Sequence, residues 1–412
     1  MTAVRDESFA LYLHIPFCYH KCPYCDFNTY AVTTIPEREY TSALLAELDY
    51  RASLPEWSGR AVSSMYFGGG TPSLLQPQTI LKIIAAVSSR FPIEDSIEIS
   101  LEANPGTVSL ESLHGYREAG VNRLSIGAQS FSAELLKKLG RIHLPAQTEE
   151  AVMNARSSGF RNLSLDLMYG IPDQDLKAFE EDVSIALKLA PEHLSLYSLT
   201  IEKGTPFFAS FKKGQLKIPH DDVVADMMES IQHALPARGY ARYEVSNFSQ
   251  PHRQALHNLA YWNSRDYMGL GAGAHSAVYL TEEEGAPLLP VRWSNVALPN
   301  RYIRDASAQG HAEAWRDALD LKAAIFDFIY LGLRKTAGIS LLEFTQRFGQ
   351  TVYEAYPAQI EVFAEQKLLA VNDGALALTP AGMMVLDSIL EDLNEPRTSK
   401  PHLHPSPEAH VS

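Results

Sequence analysis

Residues 18–25 read Cys18-Tyr19-His20-Lys21-Cys22-Pro23-Tyr24-Cys25 and contain all three cysteines of the 412-residue chain. Thiolates this close along a chain can converge on one soft metal centre, and sulfur ligands favour iron–sulfur clusters or zinc. A closed cluster or a structural zinc site needs four ligands, so three cysteines leave one position of a cluster open to a small molecule. A zinc site would need a fourth ligand nearby, for which His14 and His20 are the candidates.

The cellular setting follows from the cysteine count, the first residues and the charge. An odd number of cysteines at this spacing disfavours disulfides, and residues 1–10 are charged and lack the apolar segment of a secretory signal. No stretch approaches the roughly twenty apolar residues that span a bilayer. We therefore expect a soluble chain of the reducing cytoplasm that is not transmembrane. The net charge of −14 argues against sequence-independent nucleic-acid binding.

The first 250 residues alternate between β-rich and amphipathic segments. Strands are predicted at residues 11–15, 62–67, 97–101, 123–127, 162–168 and 193–199, with a seventh at 241–245. Helices are predicted at residues 37–52, 78–89, 110–119, 147–158, 176–189 and 221–237. This alternation predicts βαβ units and a parallel sheet. Six units fit a partial or full α/β barrel better than a short doubly wound sheet, and we expect a partial (β/α)6 TIM-like barrel.

Polar and glycine-bearing positions follow these strands at their C-terminal ends, where barrels and open α/β sheets place their sites. Each position alone is explained as a tight turn or a solvated residue, but together they predict one polar rim. The positions are the cysteine loop after the first strand, Gly68-Gly69-Gly70-Thr71-Pro72-Ser73 after the second, Glu102-Ala103-Asn104-Pro105-Gly106 after the third, Gln129 after the fourth, Arg141 beyond the next helical segment, and Asp166 on the fifth strand.

The patterning divides the chain into four parts: a barrel core at 1–250, a segment at 251–318, a C-terminal domain at 319–394 and a disordered tail at 395–412. In the C-terminal domain, helices at 321–333, 341–348 and 352–366 precede strands at 368–371 and 375–378 and a final helix at 380–393. Asp373-Gly374 between the two strands is a hairpin signal. The tail is rich in proline, serine and histidine.

The motifs resemble those of the radical S-adenosylmethionine (SAM) superfamily. CxxxCxxC after the first strand, GGGTPS after the second and ExNPG after the third resemble the oxygen-independent coproporphyrinogen III oxidase branch, and most closely the heme chaperone HemW family. The helices and hairpin near the C-terminus resemble the winged-helix-like domain of that branch. The similarity extends from about residue 11 to residue 390.

This resemblance implies a set of cofactors and the residues that hold them. Cys18, Cys22 and Cys25 would hold a 4Fe-4S cluster, and the amino and carboxylate groups of SAM would chelate its open iron. The expected SAM contacts are Tyr12, Gly69, Gly70, Thr71, Glu102, Gln129, Arg141 and Asp166. A carboxylate can bind the amino group of the methionine moiety, and an arginine can pair with its carboxylate.

Two further features separate the oxidases from the chaperones. The cysteine motif of the oxidases resembles CxxxCxxCxC, whereas Phe27 occupies the position of the additional cysteine here. Only seventeen residues precede Cys18, fewer than in the longer N-terminal arm of the oxidases. The stretch His257-Asn258-Leu259-Ala260-Tyr261-Trp262 resembles the HNxxYW signature of the heme chaperones. Imidazole is a common ligand of heme iron and aromatic rings suit a porphyrin face. The structural alternative is a buried histidine satisfied by hydrogen bonds, with aromatic core around it.

The resemblance therefore implies a heme chaperone that binds heme and passes it to an acceptor protein, with an electron donor to the cluster as a further partner. Whether the protein is also an enzyme stays open at this point. The alternative is a coproporphyrinogen III oxidase, an oxidoreductase that decarboxylates the substrate's propionates to give protoporphyrinogen IX. A structural zinc protein is the third reading.

Overall fold

The computed structural model describes residues 7–281 and 286–394, so the tail predicted at 395–412 lies outside the described residues. The strands are β1 (Ser8–Ile15), β2 (Phe17–Cys18), β3 (Tyr30–Ala31), β4 (Ala61–Gly69), β5 (Ile93–Ala103), β6 (Arg123–Gln129), β7 (Leu163–Tyr169), β8 (His193–Ser198), β9 (Ala241–Arg242), β10 (Asn247–Ser249), β11 (Tyr267–Leu270), β12 (His275–Leu280), β13 (Leu289–Asn295), β14 (Glu313–Ala318), β15 (Ile339–Ser340), β16 (Leu369–Asn372) and β17 (Ala375–Leu378).

The helices lie between these strands and at the C-terminal end. They are α1 (Glu37–Ala52), α2 (Pro77–Ser88), α3 (Leu110–Glu118), α4 (Ala133–Lys138), α5 (Pro145–Ser157), α6 (Leu176–Lys188), α7 (Pro206–Lys212), α8 (Asp221–Ala234), α9 (Leu256–Trp262), α10 (Pro299–Gln309), α11 (Leu321–Gly332), α12 (Leu341–Phe348), α13 (Val352–Ala355), α14 (Pro357–Glu365), α15 (Pro380–Met384) and α16 (Leu386–Asn394).

The predicted α/β barrel architecture is confirmed. Strands β1, β4, β5, β6, β7 and β8 lie side by side in this order and pair in parallel. Helices connect them, and neighbouring helices pack against one another around the sheet. The seventh predicted strand, at 241–245, is shorter than expected, since only Ala241–Arg242 is strand and it pairs antiparallel with β10.

Side chains alternate between the two faces of each strand, and this period of two separates the core from the site. Residues such as Leu13, Phe67 and Leu101 are buried in the main hydrophobic core. The intervening positions on the same strands, among them Tyr12 and Glu102, belong to the opposite face. The barrel interior is therefore polar and aromatic, and the apolar packing that stabilises the fold lies between the sheet and the helices.

The segment at 251–318 extends the same sheet beyond β1. Strand β11 pairs in parallel with β1, and β12, β13 and β14 follow as antiparallel neighbours. The sheet thus has two distinct ends, with β14 at one and β9 at the other, so the barrel is open.

Beyond residue 319 the chain forms most of a second hydrophobic core, which also includes Val245, and a three-stranded sheet in the order β15, β17, β16. Two predicted helices are interrupted. The helix expected at 352–366 breaks at Tyr356 because Pro357 starts α14 and cannot donate a backbone hydrogen bond to the preceding turn. The helix expected at 380–393 breaks at Val385, whose φ of −123° and ψ of 24° lie outside the helical region.

No helix in the described ranges 7–281 and 286–394 is long and apolar enough to cross a membrane.

Candidate cluster and cofactor site

The cysteine loop lies at the C-terminal end of β1, at the predicted rim. Cys18 is buried and ends the short strand β2, whereas Cys22 and Cys25 are partly exposed. The N–H of Cys25 donates to the carbonyl of Cys22 at 3.1 Å, which closes a tight turn between these two cysteines. Lys21 fixes the loop from within, since its ammonium group donates to the carbonyls of Phe27 and Thr29 at 3.0 and 3.2 Å.

Each thiol has a polar neighbour. The Thr71 hydroxyl donates to Cys18 Sγ at 3.4 Å, and the Arg141 guanidinium lies 3.9 Å from Cys22 Sγ. Burial raises the pKa of Cys18 and of Cys25 above the usual value of a thiol. These two side chains are therefore thiols at neutral pH until a metal centre binds, and metal binding would release their protons.

The glycine segment packs against the cysteine loop so closely that larger residues do not fit. A Cβ on Gly70 would lie 2.7 Å from the Phe17 carbonyl oxygen and 3.0 Å from Cys18 Sγ. Gly69 has a φ of +112°, and a Cβ there would lie 2.6 Å from the His14 ring. Both positions need glycine, because a side chain would displace the loop that holds the thiols.

Glu102, at the end of β5, is fixed through both carboxylate oxygens. The Tyr66 hydroxyl donates to Oε1 at 2.8 Å and the Gly69 N–H donates to Oε2 at 3.0 Å. The pKa of Glu102 is raised to about 7, mainly by burial; Asp166 also raises it, whereas the hydrogen bonds from Tyr66 and Gly69 lower it. The carboxylate is therefore held in a fixed orientation and changes protonation near neutral pH.

Gln129 and Arg141 lie close together beside Gly127 on β6, the fourth strand of the parallel sheet. A Cβ on Gly127 would lie 3.0 Å from Gln129 Nε2 and 3.3 Å from Arg141 Nη2, and Arg141 donates to the Gly127 carbonyl at 2.9 Å. Gln129 has a left-handed φ of 64° next to a register shift between β6 and β7, so its backbone is strained. Among the described residues, Gln129 Oε1 and Arg141 Nε are buried polar atoms without hydrogen-bond partners.

Asp166 lies on β7, the neighbour of β6 in the sheet. The Ser125 hydroxyl lies 3.0 and 2.9 Å from its two oxygens, and the Ser164 hydroxyl lies 3.2 Å from one of them. Burial raises the pKa of Asp166, and hydrogen bonds from Ser195, Ser125 and Ser164 act in the opposite direction. Asp166 therefore contributes a second buried carboxyl group on the same side of the barrel as Glu102.

Tyr12 faces the barrel interior beside these carboxyl groups. Its hydroxyl lies 2.9 Å from His14 Nδ1, and His14 Nε2 lies 3.0 Å from the Asn28 carbonyl. Burial lowers the pKa of His14 to about 4, so the ring is neutral and both nitrogens are engaged. His14, one of the two candidate fourth ligands of a zinc site, therefore has no nitrogen available in this arrangement.

The donor set fits a cluster better than a single ion. Within residues 7–281 and 286–394, no group of three His, Cys, Asp or Glu side chains is close enough to bind one metal ion. A cubane is larger and is bound through cysteines on separate irons, so its ligands need not share one coordination shell. The orphan atoms of Gln129 and Arg141 fit a polar cofactor beside it.

His257 lies inside the barrel below this rim, and it is 1 % exposed. Its Nδ1 lies 2.9 Å from the Ser64 hydroxyl and its Nε2 lies 2.8 Å from the Tyr261 hydroxyl. Burial lowers the pKa of His257 to about 3, so the ring is neutral. Binding of heme iron by either nitrogen would first require one of these hydrogen bonds to break.

The structure adds residues that the sequence analysis missed. Tyr66 donates to Glu102, Ser125 contacts Asp166, and Tyr24 interacts with Arg141 beside Cys22. Tyr66 precedes Gly68 by two positions on β4, so the alternation of side chains along that strand could have placed Tyr66 on the site face. Nothing in the sequence pairs Ser125 with Asp166, because their contact depends on the register of β6 and β7.

Comparison with known proteins identifies the family of this chain. The radical SAM superfamily profile matches residues 12–186 and the HemN C-terminal domain profile matches residues 319–385. The heme chaperone HemW of Bacillus subtilis (strain 168) is 36% identical over 91% of this chain and 96% of its own length. The heme chaperone HemW of Escherichia coli (strain K12) is 37% identical over 94% of this chain and 98% of its own length.

A solved structure shows the same fold. The coproporphyrinogen III oxidase HemN of Escherichia coli, a radical SAM enzyme, superimposes with a TM-score of 0.79 over 95% of this chain and 91% of its own. Its sequence identity is 24%, so this likeness concerns the architecture.

Proposed function

Because the chain belongs to the HemW family of radical SAM proteins, we propose that it is a heme chaperone that binds heme and transfers it to an acceptor protein. The observation that most supports this function is the identity of 36% and 37% with two HemW chaperones over nearly the whole length of both partners. Similarity of this extent spans most of the chain and is not confined to one part of it.

The proposal places a 4Fe-4S cluster on Cys18, Cys22 and Cys25, with SAM at its open iron. Glu102 supports this assignment, since its two oxygens are already oriented by Tyr66 and Gly69. The Glu102 carboxylate would accept hydrogen bonds from the amino group of SAM, and the backbone of Gly69 and Gly70 would lie beside it. Tyr12, Thr71, Gln129, Arg141 and Asp166 would complete the contacts. When bound, the cluster and SAM supply one-electron chemistry at a sulfonium centre.

Arg141 would act on both cofactors. Its guanidinium lies 3.9 Å from Cys22 Sγ and donates to the Gly127 carbonyl, which fixes its orientation. A fixed cation beside a thiolate stabilises the negative charge of the ligated cluster, and its unpartnered Nε can bind a carboxylate. Arg141 would therefore orient the carboxylate of SAM next to the cluster.

Heme would bind at or near the HNxxYW segment, for which His257 is the candidate residue. The proposal includes a cytoplasmic location, an acceptor protein for heme and an electron donor to the cluster. It includes no nucleic-acid partner, in keeping with the net charge of −14. Phe27 supports the chaperone over the oxidase, because it stands where the motif of the oxidases has a further cysteine.

The test is anaerobic purification with iron, sulfide and heme quantified together. We expect about four irons and four sulfides per chain, heme bound after titration, and transfer of that heme to apomyoglobin as a model acceptor. The same preparation is then incubated with SAM, a reductant and coproporphyrinogen III. Efficient formation of protoporphyrinogen IX would overturn the chaperone assignment in favour of the oxidase. A colourless protein after iron–sulfide reconstitution would exclude the cluster.

A further inference from the structure

The HNxxYW segment lies directly under the candidate SAM site. Helix α9 (Leu256–Trp262) inserts His257 into the barrel interior, where its ring stacks on Tyr66 with centroids 5.0 Å apart and an interplanar angle of 23°. Tyr66 is the residue whose hydroxyl donates to Glu102 at 2.8 Å. Two contacts therefore connect His257 to the carboxylate proposed to receive SAM.

His257 is itself fixed from three directions. Its two ring nitrogens contact the hydroxyls of Ser64 and Tyr261 at 2.9 and 2.8 Å, and its backbone N–H donates to Glu98 at 3.2 Å. Ser64 precedes Tyr66 by two residues on β4, so both side chains face the interior and meet the same imidazole. The ring therefore has one orientation, and Tyr66 rests against a rigid surface.

A third ring completes this packing. The Tyr12 ring lies 6.2 Å from both Tyr66 and His257, at interplanar angles of 26° and 32°. Tyr66 is thus enclosed by two aromatic neighbours, and its hydroxyl has a well-placed partner in Glu102. Removal of the His257 ring would leave a cavity next to Tyr66, into which that ring could tilt and thereby release Glu102.

We propose that His257 is a positioning residue of the SAM site, which fixes Tyr66 and through it the Glu102 carboxylate, so that helix α9 and SAM binding are coupled. This inference rests on the part of the proposed function that places SAM at Glu102, and it does not depend on heme binding. Coupling between two sites is reciprocal, so SAM binding must also stabilise α9.

The first test measures SAM affinity by equilibrium dialysis on anaerobically reconstituted protein. We expect His257→Ala and Tyr66→Phe each to weaken SAM binding about tenfold, with unchanged iron and sulfide content. Because both substitutions act through the contact between Tyr66 and Glu102, the double variant should lose much less SAM affinity than the product of the two single losses. Tyr302→Phe is the matched control, since it removes another buried hydrogen bond from a tyrosine to a carboxylate, Glu47, on the far side of the sheet.

An unchanged SAM affinity in His257→Ala, or independent losses in the double variant, would overturn the coupling. If His257→Ala does not fold, hydrogen exchange of the native protein decides the question. SAM addition should then slow amide exchange in residues 256–262, and exchange that SAM leaves unaltered there would contradict the inference. A native protein that holds its cluster but binds no SAM would instead contradict the proposed function.

Discussion

Tyr66 and Glu102 lie on neighbouring parallel strands, and the Tyr66 hydroxyl donates to Glu102 Oε1 at 2.8 Å. In the strand register Tyr66 stands opposite Ser100, so Glu102 is its diagonal neighbour, two residues towards the rim. This diagonal contact links the aromatic interior of the barrel to the polar site at its edge. It also places a carboxyl group with a pKa of about 7 at the proposed SAM site.

We expect SAM affinity to depend on pH through Glu102. In the proposed site the ionised carboxylate would accept hydrogen bonds from the SAM amino group, whereas the protonated acid would do so poorly. Because the pKa of Glu102 is raised to about 7, affinity should fall as the pH decreases from 8 to 6. Equilibrium dialysis across this range measures the effect.

Glu102→Gln provides the control for that experiment. The variant should bind SAM at least tenfold more weakly at pH 8, because a charge-assisted hydrogen bond contributes about 1.5–3 kcal/mol. Its remaining pH dependence reports other titrating groups, including the SAM amine. A Gln variant with the same affinity and the same pH dependence as the native protein would show that Glu102 does not contact SAM.

Gly70→Ala should disrupt the cluster site. The new Cβ would lie 2.7 Å from the Phe17 carbonyl oxygen and 3.0 Å from Cys18 Sγ, so the loop must shift. Overpacking of this kind costs about 1–3 kcal/mol. We expect a lower free energy of unfolding by this amount in the cluster-free protein, and less iron and sulfide per chain after reconstitution.

Gly106→Ala is the matched control for this substitution. A Cβ on Gly106 would meet its nearest neighbour, His143, at 3.6 Å, which is an ordinary contact. Cluster content should therefore stay at the native level. Equal loss of iron in both variants would mean that the close packing of Gly70 against Cys18 is not the cause.

Cys22→Ala should abolish the cluster without unfolding the barrel. Cys22 is only partly buried and lies in a loop outside the hydrophobic core. Substitutions away from the core usually change stability by less than about 0.5 kcal/mol. Iron and sulfide analysis should show loss of the cluster, while thermal unfolding should match that of the cluster-free native protein. A large fall in the midpoint temperature of thermal unfolding would assign the Cys22 thiol a structural role.

His257→Ala should lower heme retention while the cluster stays intact, if the HNxxYW segment contributes to heme binding. Tyr261→Phe tests the ligand role separately, because it removes the hydroxyl that occupies His257 Nε2. If Nε2 binds iron, heme affinity should rise in that variant, since no hydrogen bond must break first. Unchanged heme stoichiometry and absorption spectrum in His257→Ala would remove His257 from the heme site.

The sequence was sufficient for the parallel core of the barrel, since each of its six strands lies where alternation and turn residues predicted it. Strand ends were less predictable, as β5 begins at Ile93 rather than at residue 97. Strands β11 to β14 were not predicted, because their short segments lack a clear alternation and the pairing of β11 with β1 is a long-range property. The break at Tyr356 could have been predicted from Pro357, whereas the break at Val385 depends on local backbone geometry that a periodic pattern does not report.

The sequence by itself determined the cysteine loop, since three thiols within eight residues are neighbours in any compact fold. It also determined which side chains alternate onto the polar face of each strand. Only the tertiary structure decided that His257 packs on Tyr66, 191 positions earlier, and that Gln129 and Arg141 converge on Gly127. Such contacts depend on strand register and on the point at which α9 enters the barrel, and these are set by the packing of the whole core rather than by local residue spacing.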